Sequence, residues 1–108
     1  DIPLDFDTLQ PHEAMLGHGG FVAFDDTVDM ARMARFAMEF CAHESCGKCT
    51  PCRVGTGKAV ALMEQAKWNQ PLLNELSQAM MDASICGLGQ AAPNPALCVM
   101  KYFPQEVQ

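Results

Sequence analysis

The sequence predicts a mainly α-helical fold, a small antiparallel four-helix bundle. Three observations lead there. Apolar residues recur at helical spacing in successive segments, capping residues and prolines mark where those segments restart, and the connections between them are short. Of the 108 residues 49% are apolar and 19% charged, enough to build one core and too few charges for a disordered chain.

Residues 1–20 read as irregular, with Pro3, Pro11 and the turn Gly17-His18-Gly19-Gly20. Phe21-Val22-Ala23-Phe24 reads as a short strand closed by Asp25-Asp26. Asp26 or Thr27 then caps a first helix over residues 28–41. Its apolar stripe is Met30, Met33, Ala34, Ala37, Phe40 and Cys41, with Arg32, Arg35 and Glu39 opposite. A loop over residues 43–52 precedes a second helix over 53–67, burying Val60, Leu62, Met63 and Ala66. Gly55 and Gly57 weaken its first turn by up to ~1 kcal/mol each relative to alanine. Asn69-Gln70-Pro71 restarts the chain, and Leu72, Leu73, Leu76, Ala79, Met80 and Ala83 mark a third helix. Cys86-Gly87-Leu88-Gly89-Gln90 breaks it. Asn94-Pro95 provides a cap and a first-turn proline for a fourth helix ending near Phe103-Pro104. The predicted division is an N-terminal segment, 1–26, and a helical domain, 27–108. Trp68 and Tyr102 stand near helix ends and are given no role, and the methionines and phenylalanines are assigned to the core.

A net charge of −6 argues against a nucleic-acid partner, which requires clustered Lys and Arg. No apolar run approaches the roughly 20 residues of a membrane span, so no direct membrane insertion is expected. The acidic opening Asp1-Ile2-Pro3-Leu4-Asp5 is unlike a signal peptide, and without an initiator methionine the chain reads as a piece of a longer protein. The six cysteines could belong to a disulfide scaffold, but Cys46, Cys49 and Cys52 lie too close for easy mutual pairing. Reduced thiols imply a cytoplasmic location.

Those three cysteines carry the chemistry. They recur every third residue in Glu44-Ser45-Cys46-Gly47-Lys48-Cys49-Thr50-Pro51-Cys52-Arg53. A [4Fe–4S] cubane takes four thiolates, and three can come from one loop that bends tightly, as Gly47 and Pro51 allow. The fourth must arrive from elsewhere. Cys41 and Cys98 fall within helices and read as small core residues. Cys86 lies in a glycine-rich break where backbone can approach a cluster, so Cys46, Cys49, Cys52 and Cys86 are the expected ligands, at one end of the bundle. Zinc is the competitor, but its structural sites usually take ligands as two separated pairs, and here Cys86 has no partner at that spacing. His43 could complete a Cys3His site and reads more simply as a loop residue. Lys48, Arg53, the second helix's N-terminus and the N–H groups of Gly47, Gly87 and Gly89 would favour the reduced, more anionic state.

Two phosphate-loop lookalikes fail. Gly57-Lys58 is followed by Ala59, and the expected upstream glycine position holds Cys52. Gly87-Leu88-Gly89-Gln90-Ala91-Ala92 follows a helix rather than a strand. No catalytic triad or carboxylate pair stands out.

The motifs from Gly17-His18-Gly19-Gly20 and Asp25-Asp26-Thr27, through the cysteine block, to Lys101-Tyr102-Phe103 resemble the C-terminal region of the NADH- and FMN-binding, 51-kDa-type subunits of complex I and its soluble relatives. The resemblance implies that residues 1–26 are the tail of a β-grasp-like domain, with FMN and NAD(H) held by a further upstream domain. It also implies that Cys46, Cys49, Cys52 and Cys86 hold the [4Fe–4S] cluster. Hydride chemistry would occur at FMN, and this domain would pass single electrons within a multi-subunit redox complex containing a [2Fe–2S] thioredoxin-like subunit and a catalytic subunit. The chain alone would not turn over NADH. Within the family, residues 21–31 and 37–41 are most similar to the diaphorase subunit of NAD-dependent formate dehydrogenase, followed by NAD-reducing hydrogenase and complex I.

Overall fold

A computed structural model describes residues 2–14 and 22–108. The turn expected over residues 17–20, and Phe21, lie outside those residues. The first described segment is not wholly irregular. A short helix α1, Phe6–Leu9, starts where the Asp5 carboxylate accepts the Thr8 N–H at 2.6 Å. A 3-10 turn, Gln10–His12, follows and ends at Glu13 in the left-handed region, with φ of 59°. Residues 22–24 form no strand, nor does any other described segment. A lone extended stretch with no neighbouring strand leaves its backbone groups to water.

Helix α2, Met30–Glu44, is capped by Asp29 rather than Asp26 or Thr27. The Asp29 carboxylate accepts the Arg32 N–H at 3.1 Å, while Asp25 turns back onto the Thr27 N–H. A second first-turn donor, Ala31 N–H, is satisfied by Glu106 from the far end of the chain at 3.2 Å. The buried residues are Ala34 and Met38, with Met30, Ala31, Met33, Ala37 and Cys41 partly buried. Phe40, assigned to the stripe from sequence, is 60% exposed. Met38 replaces it because it lies one turn after Ala34 and three residues before Cys41, on the centre line of that face.

Helix α3, Thr50–Met63, starts and ends earlier than the expected 53–67. Pro51 does not bend the loop but sits in the first helical turn, where its missing N–H costs nothing. The far end is set by Trp68. Its indole Nε1 donates to the Met63 carbonyl at 3.1 Å and its backbone N–H donates to Val107 at 3.0 Å, pulling residues 64–68 off the helical path. Ala66 is consequently exposed, whereas Trp68 is buried.

Helix α4, Gln70–Ala83, is capped by Asn69 through Leu72 N–H and buries Leu73, Ser77 and Met80. Leu72, Ala79 and Ala83 point outward. The expected break after Cys86 is instead a short helix α5, Gly87–Ala91. Helix α6, Asn94–Tyr102, has Pro93 rather than Asn94 at its cap, and a 3-10 turn, Pro104–Glu106, follows it.

Helix α2 packs on α3 and α6, α3 on α4, and α4 on α6, closing the expected four-helix arrangement, with α5 lying across α3 and α4. Met38, Leu73, Met80 and Val107 are at most 1% exposed, each contributing about 1.5–3 kcal/mol of burial. Gly55 lets α3 approach α4: a Cβ there would lie 2.7 Å from Met80 Cγ. The short connections over residues 45–49 and 84–86 place the cysteine segments together at the α3–α5 contact.

Candidate metal centre

Cys46, Cys49, Cys52 and Cys86 all line one cavity of about 210 Å³, walled by Ser45, Lys48, Ile85 and Leu88. Cys52 is buried, Cys49 partly so, and Cys46 and Cys86 are exposed at the mouth. Two cysteines occupy helix caps, Cys49 before α3 and Cys86 before α5, both with extended backbone that turns their side chains off the helix axis. Cys52 sits one turn into α3, and its backbone carbonyl accepts the Thr56 hydroxyl at 2.7 Å.

The loop that carries Cys46 is held by four contacts around a left-handed glycine. Gly47 has φ of +77°, a backbone that strains a residue with a Cβ. Arg53 Nη1 donates to the Gly47 carbonyl at 2.5 Å, and Nη2 to the Thr50 hydroxyl at 3.3 Å. Ser45 Oγ accepts the Gly47 N–H at 3.3 Å and stands 3.2 Å from Cys52 Sγ. Once Cys52 is a thiolate, the serine must be the donor in that pair. Arg53, expected to act as a charge near the cluster, therefore clamps the loop, while Lys48 lines the cavity itself.

The thiols differ electrostatically. Backbone hydrogen bonding from Ile85, then from Cys52, holds Cys49 below the ordinary thiol range, favouring the thiolate that binds metal. The Ser84 hydroxyl adds a small contribution in the same direction, from a position short of a well-formed hydrogen bond. Cys41 behaves oppositely: burial, with a lesser effect from nearby Cys52, pushes its thiol up. It lines no part of the cavity. Cys98 is exposed on α6 rather than buried as the sequence implied. Among the described residues no three His, Cys, Asp or Glu side chains converge as ligands of one metal ion. The arrangement is four soft donors around a shared space, which suits a group carrying several metal atoms.

Sequence reasoning passed over Ser45 and Ser84 as donors. Ser45 was visible inside the cysteine motif, whereas Ser84 is distinguished only by standing two residues before Cys86.

Residues 32–108 match the family described as the NADH-ubiquinone oxidoreductase-F iron-sulfur binding region. The chain belongs to this family. The family and the donor set agree on an iron–sulfur cluster as the group bound. Among curated relatives, the NADP-reducing hydrogenase subunit HndC of Solidesulfovibrio fructosivorans is 33% identical over all of this chain and 23% of its own length. An NADH-quinone oxidoreductase subunit of Streptomyces coelicolor is 36% identical over all of this chain and 25% of its length. The chain thus spans about a quarter of these relatives. A crystal structure of NAD+-reducing [NiFe]-hydrogenase in the H2-reduced state superposes with a TM-score of 0.79 at 35% identity, covering 89% of this chain and 19% of that one. The chain is an iron–sulfur binding domain of this family. No described helix is long and apolar enough to cross a membrane.

Proposed function

We propose that Cys46, Cys49, Cys52 and Cys86 hold a [4Fe–4S] cluster through which this domain exchanges single electrons with FMN, reduced or oxidised by NAD(H) in another domain. The observation that carries this is the meeting of all four thiols, from two segments far apart in sequence, on one cavity. A bound cubane supplies a one-electron couple, the complement of a flavin that takes electrons in pairs from a nicotinamide. The protein's part is to position that couple. Hydrogen bonding lowers the Cys49 thiol, Ser45 directs its hydroxyl to the Cys52 sulfur, and Arg53 and Gly47 fix the loop so that little reorganisation accompanies each transfer. Leu88, partly buried, adds apolar surface to the wall beside the bound group, while Ile85 at the same wall is largely exposed.

Residues 1–26 fit the tail of a β-grasp-like domain in this reading, and the electron partners are a [2Fe–2S] thioredoxin-like subunit and a catalytic subunit in a cytoplasmic complex. The similarity of residues 21–31 and 37–41 to formate dehydrogenase diaphorase subunits favours formate as the electron source. The relatives described above are instead hydrogenase and quinone oxidoreductase subunits. Assay of the native complex with formate, H2 and NADH as alternative donors distinguishes the parents, and formate-dependent NAD+ reduction is the expected result.

Metal analysis of the anaerobically prepared chain tests the site. About four iron and four acid-labile sulfide per chain are expected, together with an S = 1/2 resonance after dithionite reduction, as four thiolates on a cubane require. One zinc and no sulfide would overturn the electron-transfer role.

A further inference from the structure

The only buried side-chain oxygen or nitrogen without a hydrogen-bond partner among the described residues is Ser84 Oγ. Ser84 is 6% exposed and closes α4. Its backbone is fully used: its N–H donates to Met80 and its carbonyl accepts from the Gln90 side chain at 3.0 Å. The residue is therefore anchored through its backbone, directly before Ile85 of the cavity wall. A Cβ on Gly89 would lie 2.3 Å from Ser84 Oγ and 2.9 Å from Cys52 Cβ, so the hydroxyl and the Cys52 side chain face the same glycine gap. A buried hydroxyl with no partner is unfavourable in an apolar wall, and native folds leave few of them. Ser45 shows the arrangement completed, its hydroxyl 3.2 Å from Cys52 Sγ.

We propose that the Ser84 hydroxyl is a positioning donor that completes its hydrogen bond on cluster-bound sulfur at the Cys49–Cys52 side and thereby raises the reduction potential of the site. This rests on the four-cysteine ligation proposed above. An O–H donor stabilises whichever state places more negative charge on sulfur, which is the state one electron richer. Removing the donor leaves the sulfur's other contacts in place and makes that electron harder to add. In titration the electron comes from dithionite and returns to an added oxidant, with no proton taken up or released by the serine.

The experiment is an EPR-monitored redox titration of the full chain against Ser84→Ala, Ser84→Thr and Ser45→Ala, with iron and sulfide measured on each sample. Ser84→Ala is expected to keep its iron and sulfide and to lower the reduced-to-oxidised ratio at fixed potential by on the order of tenfold, about 59 mV for a one-electron couple. It should also lose a proton coupling to the reduced site that exchanges in D2O. Ser84→Thr, which keeps the hydroxyl, should restore both readouts, and Ser45→Ala should give a separate shift in the same direction. A loaded Ser84→Ala chain with unchanged potential and unchanged exchangeable coupling would overturn the proposal while leaving the ligand assignment standing. Wild-type chain without iron and sulfide would overturn both. If Ser84→Ala loses its iron, the threonine variant decides, and a loaded threonine variant lacking the exchangeable coupling counts against the proposal.

Discussion

Gly47 and Gly89 serve the fold by different means, Gly57 serves it by neither, and substitution separates the three. Gly47 is needed for its positive φ, so Gly47→Ala should cost about 1–2 kcal/mol through the left-handed backbone alone. Gly89 is needed for space: an added methyl meets Ser84 Oγ, Ser84 Cβ and Cys52 Cβ, all closer than 3.0 Å. Neither Cβ can swing aside, so Gly89→Ala should lower unfolding free energy by about 1–3 kcal/mol, the usual range for overpacking. It should also reduce the iron retained, because the displaced residue, Cys52, is one of the proposed ligands. Gly57 has nothing within 4 Å of an added Cβ and lies inside α3. Gly57→Ala should therefore stabilise by up to ~1 kcal/mol with iron unchanged. Chemical denaturation with iron analysis checks all three. Equal losses from Gly57→Ala and Gly89→Ala would contradict this account of the site.

At the level of elements, the four long helices were readable because apolar spacing is a local property of sequence. Their ends and faces were less so, because distant residues decide them. Trp68 reaches from Met63 to Val107, and this ends α3 well before Lys67; nothing within residues 53–67 announces it. Glu106 similarly completes the start of α2 from the other end of the chain. The phase of α2 was misjudged at Phe40, since a large apolar side chain was taken as core while Met38 held the centre of the face. That Cys46, Cys49 and Cys52 share a cavity with Cys86 could be anticipated from the unusual spacing of the first three and from the place of Cys86 between helices. Ser84 could not, since one serine resembles another until burial distinguishes it. The Trp68 contact predicts a measurable effect. Trp68→Phe keeps a ring but loses the donor to the Met63 carbonyl and leaves a small void, so a loss of about 1–3 kcal/mol is expected in equilibrium unfolding. A loss below a few tenths would mean that the indole is not what ends α3.

Across the whole molecule, one ionic contact ties the first described residues to the last long helix. The Glu13 carboxylate accepts the Tyr102 hydroxyl at 2.6 Å and is paired with the Lys101 ammonium. Hydrogen bonding from Lys101, then from Tyr102, holds Glu13 below its ordinary value of 4.5. Its contribution is therefore complete above that value and disappears as pH falls through the lowered one. The Glu13 hydrogen bond raises Lys101 and Tyr102 above their ordinary 10.5 and 10.0. Their contributions are complete below those values and disappear as pH rises through the raised ones. The contact should hold across the interval between, and it should weaken with added salt because all three groups are exposed. NMR of the Tyr102 ring should show an acid transition below the ordinary carboxylate range, and Glu13→Gln should abolish it. None of these residues lines the thiol cavity, so Glu13→Gln should leave iron content and the reduced resonance unchanged. A Tyr102 ring insensitive to acid in the wild-type chain would show that residues 2–14 are held by something other than Glu13. Loss of iron in the variant would instead show that the two ends of the molecule are coupled through α6.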